Sequence, residues 1–311
     1  MTVYDVVTND EAEYGLWPAG RAAAPGWTPT GFQGSRRDCL DHVARVWTDM
    51  RPRSVRRGRS PGASRWLVRR RRRGDAALRL YCFPHSGGSP GEFVRWSDAL
   101  TDVEVLGLQL PGRGARLEEP PFTDMAALVA AVVEDVEFTG PYVLFGHSLG
   151  GWVAFETIRA LQASGRPLPE RLVVSATPPP HFRVERDPLH RMGDDDLLDA
   201  VEQRYGGLPP TLREDPDLLA LVLPAYRADF QIFEEYEHAP GDPIDVPITV
   251  VGGADDAMPA DLLRAWDRHT ARGADLHMLP GGHFYLRDEP GRTRLLDLVR
   301  ALAPGTKEAD R

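Results

Sequence analysis

The apolar positions of this chain change their period twice. Thr2–Thr8, Glu13–Trp17 and Trp27–Phe32 are short runs of strand type, the third following the turn signal Pro25-Gly26. The period then lengthens. Leu40, Val43, Ala44 and Trp47 fall at i, i+3, i+4 and i+7, one stripe of a helix, and Ser35 with Asp38 three residues on is a variant capping box at its start. Past residue 64 a second regime begins. Leu78–Phe83, Val103–Leu108, Tyr142–Phe145, Leu172–Ser175, Ile248–Val251 and Asp275–Leu279 are short apolar runs rich in Val, Leu and Ile. Helical stretches lie between and after them: Met125–Val136, Trp152–Gln162, Leu262–His269 and Thr293–Ala303. This alternation predicts an α/β fold, a mostly parallel sheet covered by helices on both faces, with ligands bound beyond the carboxyl ends of the strands.

The pattern sets the expected boundaries: a small α+β unit over residues 1–57, an Arg/Gly/Ser/Pro linker over 58–64, a body over 65–305 and a tail over 306–311. The small unit, a three-stranded antiparallel sheet plus a helix, has a core near the lower limit of independent stability.

Composition narrows the classes. Hydrophobic residues are 42% and charged residues 27% of the 311, which suits a globular protein and excludes low-complexity disorder for the bulk of the chain. No run approaches the roughly 20 apolar residues of a membrane helix, and Met1-Thr2-Val3-Tyr4-Asp5 lacks the features of a signal peptide, so a cytoplasmic protein without a membrane partner is expected. Cys39 and Cys82 sit in apolar-periodic segments and read as small core residues. The net charge is −9, yet residues 51–74 hold eleven arginines and no acid. Such a tract can mark nucleic acid, but on an otherwise acidic chain it reads as a solvated linker and edge strand, and no nucleic-acid partner is expected.

The strongest chemical motif is Gly146-His147-Ser148-Leu149-Gly150, a G-x-S-x-G preceded by an apolar strand and followed by a helix. Its glycines permit a strained turn that lifts the Ser148 hydroxyl from the sheet. A serine nucleophile needs a base, and the base an orienting acid. His283, after the last strand and beside Gly281-Gly282, is the expected base. Asp255, at G-x-x-D from Gly252, is expected as the acid in preference to Asp256. The oxyanion donors expected are the backbone N–H of Leu149 and that of Ser86, in the loop after Leu78–Phe83. His85 is expected to hold that loop, and His147 to pack or hydrogen-bond inside the turn. No metal is called for.

Two family resemblances follow. Asn9-Asp10-Glu11, Leu16-Trp17-Pro18, Pro25-Gly26-Trp27, Cys39-Leu40 and Trp47-Thr48-Asp49-Met50-Arg51-Pro52-Arg53-Ser54 resemble MbtH-like proteins. The resemblance implies a unit that binds and activates adenylation domains of nonribosomal peptide synthetases, with Trp17 and Trp27 forming the cleft that receives an apolar residue. Glu13 stands where that family usually has Gln, and Gly15, bordering the cleft, where it usually has Ser. Cys82-Phe83-Pro84-His85-Ser86-Gly87-Gly88, Leu110-Pro111-Gly112-Arg113-Gly114, the Ser148 turn, Gly252-Gly253-Ala254-Asp255-Asp256 and Gly281-Gly282-His283-Phe284-Tyr285-Leu286 resemble a type II thioesterase. That implies an α/β-hydrolase with a helical lid, expected at about residues 178–243, where amphipathic stretches run over Leu197–Tyr205 and Leu218–Phe233. It also implies editing of acyl or aminoacyl thioesters on carrier-protein phosphopantetheine. No Asp-Ser pair, the context of phosphopantetheine attachment, occurs in the chain, so the carrier is expected in trans and no cofactor on the chain itself. Two alternatives stand beside this reading: a general serine carboxylesterase or lipase, and an adenylation-domain chaperone carrying an inactive hydrolase scaffold.

Overall fold

Ser35 ends the last strand of the N-terminal unit and opens its helix. The Ser35 hydroxyl accepts from the Asp38 N–H and the Asp38 carboxylate accepts from the Ser35 N–H, both at 3.2 Å, which is the reciprocal box read from the sequence. The computed structural model describes residues 3–9, 12–21, 23–24, 26–47, 65–74, 76–182, 187–206, 208 and 211–303. Pro25, the 58–64 linker and the 306–311 tail lie outside them. The chain divides into two compact units, Met1–Ala63 and Ser64–Arg311.

The first unit is an antiparallel sheet of β1 (Tyr4–Asn9), β2 (Tyr14–Pro18) and β3 (Trp27–Gly34) in the order β2-β1-β3, packed on α1 (Arg36–Val46). Val6, Val7 and Cys39 are its buried centre. The register pairs Trp17 with Asp5, Gly15 with Val7 and Trp27 with Asn9, which places both indoles and Gly15 on one face. Tyr14, pointing the other way, meets Trp47 at the end of α1, with ring centroids 5.8 Å apart.

The second unit contains a seven-stranded sheet. Its strands are β4 (Leu67–Val68), β5 (Leu78–Phe83), β6 (Val103–Leu108), β7 (Tyr142–His147), β8 (Arg171–Ser175), β9 (Ile248–Gly253) and β10 (Ala274–Leu279), in the order β10-β9-β8-β7-β5-β6-β4. All neighbours run parallel except β4, which pairs antiparallel with β6 at the rim. Each central strand is apolar on both sides because each side faces a core. Tyr81, Phe83 and Leu144 enter one layer with α2 (Met125–Asp135) and α3 (Leu149–Ala163), while Leu80, Cys82, Val143 and Phe145 enter the other with α4 (Gly291–Ala301). Fully burying one such side chain stabilises by roughly 1.5–3 kcal/mol, so the two layers hold the sheet that aims the site. Cys82 is a free, fully buried core residue, and burial pushes its thiol well up.

Between β8 and β9 the chain leaves the sheet for the helices Asp194–Tyr205 and Pro216–Glu235. The longer of these is called the lid helix below. Asp215 caps it, accepting from the N–H groups of Asp217 and Leu218, and Pro216 occupies its first position, where no N–H is needed. The lid has its own small core of Leu189, Leu197, Val201, Leu223 and Phe230. The helix expected over 262–269 is an α-helix only at Ala260–Arg264 and tightens to a 3-10 turn at Ala265–His269. No helix among the described residues is long and apolar enough to cross a membrane.

Candidate active site

Ser148 sits between β7 and α3 at φ 53°, ψ −122°, a left-handed conformation unusual for serine. The strain is held by contacts on all sides. The Ser148 N–H donates to Ser175 O at 2.8 Å, and the Ser148 carbonyl accepts from the Gly151 N–H and the Thr177 hydroxyl, both at 2.9 Å. A Cβ on Gly146 would lie 2.2 Å from Gly150 O, and one on Gly150 would lie 2.1 Å from Phe83 O. Only glycine fits either place. The hydroxyl itself makes no capping bond to the helix.

His283 follows β10, and its Nδ1 lies 2.9 Å from Asp256 Oδ2, with both side chains about nineteen-twentieths buried. A carboxylate only accepts, so Nδ1 carries a proton and Nε2 is the nitrogen turned away from Asp256. The partner is therefore Asp256 and not Asp255, which is exposed. The reason is where the strand stops. β9 continues through Gly253, two residues beyond the apolar run, and the turn closed by the Asp256 N–H on Gly253 O shifts the inward position by one. Asp255 contributes its backbone instead, donating to Gly281 O at 3.0 Å and tying this turn to the loop that bears His283. A Cβ on Gly253 would lie 2.2 Å from Gly282 O, so the two loops meet where glycine alone allows it.

Ser148, Asp256 and His283 line one cavity of about 910 Å³. Its walls are chiefly apolar and include Trp152, stacked on Phe233 of the lid helix at 4.4 Å between centroids, together with Phe182, Tyr205 and Met258. A second chamber of about 280 Å³ shares Ser148 and His283 and is bounded by Ser86, Gly87, Gly88 and Tyr226. Ser86 thus borders a chamber that Ser148 also lines, and Leu149 is fully buried at the first position of α3, where its N–H has no partner within the helix.

The neighbouring histidines hold the frame. Arg287 donates to His85 Nε2 at 3.2 Å, and the His85 carbonyl accepts from the Gly88 N–H at 2.8 Å, so His85 holds its loop as expected. His147 Nδ1 meets Ser175 Oγ at 2.8 Å, which in turn meets the Tyr285 hydroxyl at 2.5 Å. Burial, aided by neighbouring positive charge, keeps both imidazoles well below the usual histidine range and hence neutral.

In the N-terminal unit Trp17 and Trp27 are half-buried. A Cβ on Gly15 would lie 3.4 Å from Trp27 Cζ3, an ordinary contact, so this glycine opens the ground beside the indole without being required by packing.

The partner of His283 is the acid the sequence ranks second, Asp256, and the residue to which the sequence gives no role is Asp229 on the lid helix. Asp229 is an acid on an otherwise apolar stripe, and it is nearly fully buried. That misfit of polarity was the available signal.

Comparison with known proteins agrees with these observations. A model of the thioesterase domain matches residues 78–302, and a model of MbtH-like proteins matches residues 1–59. The chain is similar to the gramicidin S biosynthesis protein GrsT of Aneurinibacillus migulanus, with 31% identity over 72% of this chain and 88% of that protein. It is likewise similar to thioesterase PikA5 of Streptomyces venezuelae, with 37% identity over 72% and 81%. Among solved structures, the RedJ thioesterase of the prodiginine pathway in Streptomyces coelicolor superposes with a TM-score of 0.68 at 35% identity, covering 73% of this chain and 86% of that one. The seven-stranded unit has the α/β-hydrolase fold of these relatives.

Proposed function

The chain belongs to the thioesterase family, with an MbtH-like unit ahead of the hydrolytic one, and from that premise we propose an editing enzyme that clears acyl or aminoacyl groups from phosphopantetheine on separate carrier proteins. The observation that carries the reading is the convergence of the Ser148 turn and the His283–Asp256 pair on a large apolar cavity. In this reading Ser148 Oγ attacks the thioester carbonyl carbon while His283 Nε2 takes its proton. The tetrahedral oxyanion rests on the N–H groups of Leu149 and Ser86. The C–S bond then breaks, and the proton held on His283 passes to the departing thiolate, which is a good leaving group and goes as the thiol. His283 next draws a proton from water, whose oxygen attacks the acyl-enzyme carbonyl; the ester bond to Ser148 Oγ breaks, His283 returns that proton to the serine, and the acid is released. The chain needs no cofactor of its own for this, because the pantetheine arm arrives with the carrier.

The MbtH-like unit supplies the address. We assign the face bearing Trp17, Gly15 and Trp27 to an adenylation domain, since half-buried indoles beside an open position are well suited to receive an apolar side chain. Joined to that anchor, the thioesterase gains a high effective concentration near the carrier the same synthetase uses. Incubation with acyl-loaded carrier protein tests the proposal. Free acid is expected from the native chain, and Ser148→Ala should lower turnover by on the order of a thousandfold or more with the fold intact. Near-native turnover in that variant removes Ser148 from its role.

A further inference from the structure

Asp229 is a carboxylate on the lid helix, and none of the steps above uses it. It is 2% exposed and both of its oxygens are engaged. Oδ2 accepts from the Gly87 N–H at 2.7 Å and from Arg113 Nη1 at 2.6 Å, while Oδ1 accepts from Arg113 Nη2 at 2.7 Å. Arg113 Nη1 also donates to Gly88 O at 3.2 Å, so its charged fork reaches the loop as well as the helix. One turn earlier on the same helix, Tyr226 lies against Gly87, where a Cβ would come within 2.2 Å of its ring. The segment gripped in this way is the one that carries the Ser86 N–H.

We propose that Arg113 and Asp229 are positioning residues that register the oxyanion loop against the lid helix, so that seating of the lid and alignment of the Ser86 donor are one event. The inference rests on the catalytic reading given above. A buried ion pair adds little net stability, because removing two charges from water offsets most of their attraction. What this pair does supply is geometry. Charge-assisted bonds fix the loop at the N–H of Gly87 and the carbonyl of Gly88, immediately beyond Ser86. An oxyanion donor acts only when it is held at the place where charge will develop, and loss of one donor lowers turnover by about a hundred- to a thousandfold in comparable hydrolases. A lid displaced from Asp229's present position would slacken the loop and leave the site slow toward whatever thioester had entered. Selectivity would then follow from which acyl groups let the lid seat.

The test is the double variant Arg113→Met/Asp229→Leu in the full chain, which replaces the pair by apolar groups of similar volume and leaves no unpaired charge. Hydrolysis of an octanoyl N-acetylcysteamine thioester is followed together with backbone hydrogen exchange and thermal unfolding. The expected result is a melting temperature near the native one, kcat lower by at least tenfold and KM within about twofold, as loss of stabilisation confined to the transition state requires. Exchange over residues 84–89 should accelerate by at least tenfold, with exchange over 78–83 unchanged. Unchanged kcat overturns the proposal, as does a fall in kcat with exchange over 84–89 unaltered. Should the double variant not fold, Asp229→Asn is read by the same criteria. Failure of the native chain to cleave any thioester overturns the catalytic reading instead, and the exchange experiment then decides the tether alone.

Discussion

Replacing Asp256 by asparagine separates two adjacent carboxylates by a large factor. Asp256 accepts from His283 Nδ1 at 2.9 Å with about 6% of its side chain exposed, whereas Asp255 is exposed and engages the site only through its backbone. In the mechanism proposed above, an imidazolium forms beside Asp256 when His283 takes the serine's proton. At about 4 Å between charge centres and an effective dielectric near 20, the carboxylate stabilises that cation by about 4 kcal/mol. Converted to a rate, this is about a thousandfold, and an amide that lets the ring take the wrong tautomer adds to the loss. Asp256→Asn should therefore lower kcat for a short acyl thioester by about a thousandfold, with KM nearly unchanged. Asp255→Asn should stay within about twofold of the native chain. Thiol release measured with a chromogenic disulfide reads both. Near-native turnover in Asp256→Asn beside a collapse in Asp255→Asn would refute the geometry on which the site is built.

Two further outcomes follow from other parts of the molecule. Trp27→Ala should weaken association with an adenylation domain, measured by co-purification or calorimetry, while hydrolysis of a small thioester is unchanged; a joint fall in both would show that the two activities are not separable. His269, hydrogen-bonded to His181 at 2.7 Å, is pushed down to about 4, first by burial and then by neighbouring positive charge. Between about pH 4 and 6.5 the unfolded chain binds a proton there that the folded chain does not, so stability rises with pH across this window. The contribution lost at pH 5 is on the order of 1–2 kcal/mol. Thermal unfolding should show it, and His269→Gln should flatten the slope.

Much of this site was legible in the sequence because its parts are local. The Ser148 turn announces itself by its glycines, since the close approaches at residues 146 and 150 exclude every other side chain. His283 announces itself by following the last strand beside two more glycines. The sequence points one residue short of the partner of His283 because a strand's end is set by pairing: Gly253 pairs with Leu279, and nothing in the apolar run of Ile248–Val251 predicts that pairing. The apolar pattern starts the helix after Ser148 at Trp152, whereas it begins at Leu149, since Gly150 and Gly151 have poor helix propensity and are there to let Phe83 and Thr177 approach. The link from Asp229 to Arg113 spans 116 residues, and no local pattern brings an arginine of one loop to an acid of a distant helix.

The arginine tract after the first unit has a consequence for how copies of this molecule share a solution. β4 is two residues long and lies at the rim of the sheet, and Arg69 to Arg73 follow it directly. Arg69 pairs with Glu104, and Arg70 and Arg71 share Asp98, so one rim acid faces two guanidinium groups. A strand edge can invite a second chain to zip onto it, and charged side chains beside a very short edge strand discourage that pairing. On a two-residue edge strand such charge makes backbone pairing with a second copy less favourable, and added salt, by screening it, would weaken that effect.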